Sequence, residues 1–198
     1  MSNVLSHDGG SPNSRPPRLI LLNGAPGIGK TTVARRYLLD HPLALNLDID
    51  AIRCAMGRWE EHDESKRLAR AYAVDFARAH LQAGYDVVVP QTLGRIEFVE
   101  LLDALAAEVG AVFHEVVLTA PAEEILRRFR ARRAELVAAG VSHPERFVEH
   151  DVTTLDAIGA EIADVAGRRP RTCVVATSEG DVEAAYRGVC AALGGDQR

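Results

Sequence analysis

Lysine is nearly absent from this chain: of its 23 basic residues only Lys30 and Lys66 are lysine, and the rest are arginine. Cysteine is almost as scarce. Cys54, Cys173 and Cys190 are odd in number, scattered and without metal-ligand spacing. That excludes a disulfide scaffold and fits small core residues in a reduced, cytoplasmic setting. No apolar run approaches the length needed to cross a bilayer, so no membrane partner is expected. The opening residues also lack the charged start and apolar core of a signal peptide. A net charge of −5 and a pI near 5.8 give no footprint for broad nucleic-acid binding, although a local basic patch remains compatible with them.

What is present is ordinary in bulk. A chain of 198 residues, 47% hydrophobic and 26% charged, suits one soluble domain with a proper core. Residues 1–17, rich in Ser, Gly, Asn and Pro, read as a flexible tail ending at Pro16-Pro17, followed by a single domain over 18–198.

Strand and helix patterns alternate along that domain. "RLILLN" from Arg18 reads as a buried strand, followed by a helix in "KTTVARRYLLDH". "LALNLD" (43–48), "DVVVPQ" (86–91), "AVFHEVVLT" (111–119) and "TCVVATS" (172–178) add four more strands. The helices between them span about 63–82, 97–109, 121–140, 149–166 and 181–193. In the 63–82 helix, Leu68, Ala71, Tyr72, Asp75, Phe76 and Ala79 mark the periodic face. This order predicts an α/β fold, a three-layer α/β/α sandwich around a five-stranded, mostly parallel sheet. Ligands in such folds sit beyond the carboxyl ends of the strands.

The first strand end carries the informative stretch. Gly24, Ala25, Pro26, Gly27, Ile28, Gly29, Lys30, Thr31 and Thr32 match Gly, four residues, Gly, Lys and Ser or Thr between a strand and a helix. Glycines let backbone N–H groups turn inward onto phosphate oxygens, and the helix that follows adds its positive end. Lys30 reaches the β- and γ-phosphates as a mobile point charge where a planar guanidinium would not thread the loop, and Thr31 offers a hydroxyl to Mg²⁺. A nucleoside triphosphate and Mg²⁺ are the expected ligands.

Asp48 and Asp50 follow at the end of the second strand. A carboxylate there can take a proton from an acceptor hydroxyl or support the metal through water. Arg53 stands one helical turn on and can steer the acceptor or pair with the base. The competing reading makes Asp50 a helix cap and Asp48 a solvated residue.

The run from Leu22 to Ala55 resembles the kinase domain of polynucleotide 5′-hydroxyl kinases. It also resembles the wider P-loop kinase group that includes chloramphenicol phosphotransferase-like enzymes. The resemblance implies ATP as donor, Asp50 as the general base toward the acceptor hydroxyl and Arg53 as the residue that positions the acceptor. "RRFRARR", Arg127 to Arg133, stands where similar kinases carry an arginine-rich lid helix. Arg128 and Arg132 match best, four apart on one face, and arginine suits the spread charge of a transferring phosphoryl group.

The chain departs from that pattern at Gln91-Thr92-Leu93, where relatives often have an acidic residue followed by Thr-Asn. Glutamine is no ionised metal partner, so metal support falls to Thr31, water and Asp48. Gln91 and Thr92 are expected to hydrogen-bond a small polar acceptor instead, and Trp59 either borders the same pocket or packs at its edge. His143 and His150 show no metal spacing and read as loop and cap residues. The resulting expectation is an ATP-dependent kinase acting on a hydroxyl of a small molecule such as an antibiotic, a sugar or a nucleoside. Its rivals are a polynucleotide 5′-hydroxyl kinase and a nucleotide-binding switch that transfers nothing.

Overall fold

The structure, a computed structural model, describes residues 15–140 and 150–194. The expectations for residues 1–14, for His143 and for a helix start at Glu149 lie outside the described residues.

Five strands form one all-parallel sheet in the order β2-β3-β1-β4-β5. They are β1 (Arg18–Asn23), β2 (Leu45–Asn46), β3 (Val87–Pro90), β4 (Val112–Thr119) and β5 (Cys173–Ala176). The helices are α1 (Lys30–Asp40), α2 (Ile49–Cys54), α3 (Glu64–Gln82), α4 (Ile96–Val109), α5 (Ala122–Ala138), α6 (Val152–Gly167) and α7 (Val182–Ala192). A 3₁₀ turn at Trp59–Glu61 joins α2 to α3.

The central strand explains the layering. Every residue of β1 is buried, and alternate side chains feed opposite cores. Ile20 and Leu22 pack with Val33, Tyr37 and Val189 on one face, while Leu19 and Leu21 pack with Ala73, Leu81 and Leu102 on the other. A continuous apolar run is what a strand covered on both faces requires.

Two expectations need correction. β2 is two residues long, not six, because Leu43 takes a left-handed φ of 64° and Asp48 already caps α2. In α3 the buried face is Ser65, Ala69, Ala73, Ala77 and Leu81, a stripe at every fourth residue. Tyr72 and Phe76, expected on the packed face, are 45% and 54% exposed. Small side chains let α3 lie close on the sheet, and the aromatic residues are left outside.

Arg15 to Pro17, expected to close a flexible tail, are tied to the sheet. Arg15 donates two hydrogen bonds, at 3.0 and 2.7 Å, to the buried carboxylate of Asp86, and Val112 N–H donates to Pro17 O at 2.9 Å. Asp86 also accepts from Tyr37 Oη at 2.7 Å and from the Arg18 amide at 2.8 Å. Burial opposes its charge, but these donors prevail and hold its carboxyl below the usual range.

Candidate active site

The loop between β1 and α1 is built on three glycines with positive φ: Gly24 at 149°, Gly27 at 85° and Gly29 at 107°. A Cβ on Gly24 would stand 2.8 Å from Leu118 O, and one on Gly27 would meet the Phe129 Cβ at 3.0 Å. The first contact seats the loop on the end of β4 and the second seats it under α5. At Gly29 a Cβ would meet nothing within 4 Å, so this residue faces open space where α1 begins. Turned amides over an open hollow, at the start of an eleven-residue helix, suit a polyphosphate.

Lys30 is 9% exposed and folds back over this loop. Its Nζ donates to Gly24 O at 2.8 Å, Ala25 O at 3.0 Å and Thr92 Oγ1 at 2.9 Å. Burial lowers its pKa to about 7, against the attraction of Asp50 and Asp48, which raises it. Thr92 Oγ1 donates in turn to Gly24 O at 2.9 Å. Asn23 completes the brace: its Oδ1 accepts from the Gly24 and Leu93 amides, and its Nδ2 donates to Leu93 O at 3.0 Å. Thr92 is therefore committed to the loop lysine, where the sequence pointed to an acceptor. The equivalent commitment of Asn23 carried no sequence signal beyond its place at the strand end.

Two clefts flank the loop. The first, about 290 Å³, lies between Gly27–Val33, Arg128, Arg132 and residues 177–182 at the end of β5. The second, about 460 Å³, is lined by Pro26, Arg35, Asp48, Asp50, Gln91 and Phe129, among others. Gly27, Lys30, Thr31 and Arg132 border both. A molecule in either cleft therefore faces the same lysine and the same hydroxyl.

Asp48, not Asp50, caps α2: its Oδ1 accepts from the Ala51 amide at 3.1 Å, reversing the competing reading. Asp50 lies in the first turn of α2, exposed, on the second cleft. Arg53, expected to steer the acceptor or pair with the base, is not among the residues lining that cleft. It is 7% exposed, its Nε donates to Ser65 Oγ at 2.8 Å, and its guanidinium lies 4.6 Å from the centre of the Trp59 ring. Trp59 is 8% exposed and serves the same joint between α2 and α3, so it packs and does not border the pocket. Together they fix the short helix that carries Asp50.

The two selected arginines of α5 differ. Arg128 donates to Thr177 Oγ1 at 3.0 Å and to Ile28 O at 3.4 Å and pairs with Glu124. It pins α5 to the phosphate loop and to the end of β5. Arg132 is exposed, borders both clefts and has no ion pair or hydrogen bond among the described residues. Arg127 pairs with Glu179. His150, read with His143 as a loop or helix-cap residue, lines the second cleft with its ring edge-on to Phe129, the centroids 5.0 Å apart. The 177–182 wall of the first cleft was also missed. Its available signal was a strand end followed by Gly180 and a cap at Asp181.

No curated protein matches the sequence. Among solved structures, the tunicamycin resistance protein of Deinococcus radiodurans superposes with a TM-score of 0.61 at 18% identity, covering 91% of this chain and 97% of that one. A gluconokinase from Sinorhizobium meliloti 1021 gives 0.60 at 16% identity, covering 90% and 92%. A chain of the Pnkp1/Rnl/Hen1 RNA repair complex gives 0.62 at 16% identity, covering 80% of this chain and 49% of that one. At these identities the likeness is one of fold: a parallel α/β sheet with the phosphate loop after its central strand. The profile of the AAA domain family matches residues 19–157, which contain the loop, both aspartates and the arginine-rich helix. The chain belongs to that family, AAA_33, and has the P-loop kinase fold.

Proposed function

We propose that this protein is an ATP-dependent phosphotransferase that moves the γ-phosphoryl group to a hydroxyl of a small-molecule acceptor. The observation that carries the reading is the shared border. One strip of loop residues, with Lys30 and Thr31 at its centre, walls a cleft on either side; the carboxylates of the first, Glu179 and Asp181, are engaged by Arg127 and by the Ala184 amide, whereas Asp50 lies exposed in the second. The first cleft suits the nucleoside and the second suits the acceptor.

The residues fit the ligands. The loop amides and the start of α1 receive the phosphates, and Lys30 swings from its carbonyl partners onto the β- and γ-oxygens. Among the described residues no three His, Cys, Asp or Glu side chains converge as a metal site. Mg²⁺ would then be held by Thr31 Oγ1 and the phosphates, with Asp48 acting through water, and would supply charge neutralisation across the breaking bond. Asp50 accepts the proton of the attacking hydroxyl, and Arg132 faces the charge shared between the clefts. Arg53 and Trp59 position Asp50 through α2, and Arg128 holds the loop and the β5 end in place.

The test is an ATP-consumption screen over hydroxyl-bearing small molecules and 5′-hydroxyl oligonucleotides, with product identified by mass. Wild type is compared with Asp50→Asn. Because Asp48 makes the cap, asparagine at 50 leaves α2 intact, and nucleotide affinity should hold while transfer falls about a hundredfold. Asp48→Asn is the control and should raise the Mg²⁺ requirement. Unchanged transfer in Asp50→Asn would remove the base assignment. Phosphorylation of oligonucleotide ends alone would favour the polynucleotide reading, for which Arg35, Arg132 and Arg133 on the second cleft offer a basic lining.

A further inference from the structure

A third cavity, about 560 Å³, opens between α3, the β3–α4 loop, α4 and α6. Its size is that of a small-ligand pocket. Thr92 borders both this cavity and the second cleft, so the two meet at the residue that holds Lys30. Its charged lining is two arginines, Arg70 and Arg95, and two glutamates, Glu97 and Glu161. None of the four has an ion pair among the described residues, and Arg70 instead lies 5.5 Å from the centre of the Phe98 ring. Phe98, Leu101 and Ile158 supply an apolar floor.

The loop lies close against α6 at one of these glutamates. A Cβ on Gly94 would stand 2.5 Å from the movable Oε2 end of Glu161 and 3.1 Å from its Cβ, so glycine is what lets the loop approach this far. A second feature sits one residue before Thr92. The Gln91 side-chain oxygen is buried on the second cleft and has no hydrogen-bond partner among the described residues. A buried acceptor of that kind needs an O–H or N–H donor.

We propose that the acceptor is a neutral, hydroxyl-rich molecule, its reacting hydroxyl beside Asp50 and Gln91 and its remainder in this third cavity. The proposal rests on the kinase reading above and names its substrate class. Guanidinium donors and carboxylate acceptors in equal number match a ring bearing several hydroxyls, each of which both gives and receives. The apolar floor takes the C–H face of such a ring. An anionic acceptor or a phosphodiester chain would bring its charge against Glu97 and Glu161. The transfer itself is balanced: the acceptor oxygen bonds to the γ-phosphorus, the β–γ bridging bond breaks to release ADP, and the hydroxyl proton passes to Asp50.

The experiment uses the full chain with Mg·AMPPNP for binding and Mg·ATP for turnover. Saturation-transfer NMR and mass detection are run on a panel of neutral methyl glycosides and nucleosides, on gluconate as an acid, and on a 5′-hydroxyl oligothymidylate. A neutral polyol should bind and be phosphorylated. Glu161→Ala, and Ile158→Trp to fill the cavity, should each raise its KM about tenfold or more while Mg·ATP affinity is unchanged. Gln91→Met should raise KM without shifting nucleotide affinity. Neutral binding that Ile158→Trp abolishes, but without any transfer, would support the cavity and sink the kinase reading. Transfer with a KM that none of these variants moves would overturn the cavity and leave the kinase reading standing. A preference for gluconate or oligothymidylate that Arg70→Gln and Arg95→Gln abolish would overturn the neutral class, as would a panel in which no neutral member binds.

Discussion

Nucleotide binding should take up a proton, and Lys30 is the group that supplies the effect. Its pKa is about 7, lowered by burial and only partly restored by Asp50 and Asp48. On phosphate oxygens the amine must be cationic to contribute. Below pH 7 it is already charged, and affinity should be flat with respect to this group. Above pH 7 each binding event must first protonate it, so affinity falls with rising pH. Between pH 6 and pH 8 the charged fraction drops about tenfold, equivalent to about 1.4 kcal/mol. The same shift acts on folding with a defined sign. Lys30 is depressed below its unfolded value of 10.5, so its contribution is full above that value and is lost as pH falls through about 7. The assay is calorimetry of Mg·ADP binding in buffers of different protonation heat. Lys30→Met, measured alongside, subtracts the nucleotide's own titration. About 0.9 of a proton per site should be taken up at pH 8 and about 0.1 at pH 6. Equal uptake in wild type and Lys30→Met would refute the reasoning.

Other consequences are open to direct measurement. Asp86→Ala removes the acceptor of four hydrogen bonds and should cost about 3 kcal/mol in urea unfolding, and a loss below about 1 kcal/mol would show the anchor to be dispensable. Because its carboxyl is held below the usual range, its contribution is present above pH 3.8 and should disappear as acid takes pH below that value. The two α5 arginines should separate cleanly. Arg132→Met should lower single-turnover transfer about a hundredfold or more at unchanged Tm, whereas Arg128→Met should lower Tm and nucleotide affinity together. Similar losses from both variants in every assay would contradict the division.

How much of this was readable in the residues varies with the kind of signal. β1 was legible to the residue because a strand buried on both faces is a continuous apolar run between proline and glycine. The phosphate loop was legible because its backbone needs glycine at defined positions. The buried face of α3 was not, because alanines at 69, 73 and 77 compete with the larger Tyr72 and Phe76 for the same periodicity. Hydrophobicity named the aromatic residues, and close helix–sheet contact selected the small ones. The partners of Arg53 were hidden for a related reason. Its spacing from Asp50 was right for one helical turn, but Ser65 and Trp59, which claim its guanidinium, come from an element that no local pattern connects to it.

The scarcity of lysine acquires a second cause from the structure. Shape alone lets an amine thread the loop, yet Lys30 is also surrounded by two carbonyls and a hydroxyl. An arginine buried there would remain a full cation at every working pH, and its desolvation would have to be met by a paired carboxylate. Elsewhere the chain does just that: Arg169 sits between Asp103 and Glu115, and Arg15 sits on Asp86. At the loop such a partner would compete with the phosphates for the same charge. A lysine whose pKa lies near 7 avoids the conflict, since its proton can be gained when phosphate arrives and given up when it leaves. Asp48 and Asp50 are near enough to raise its pKa. They therefore bias the lysine toward charge, and both stand with it on the second cleft.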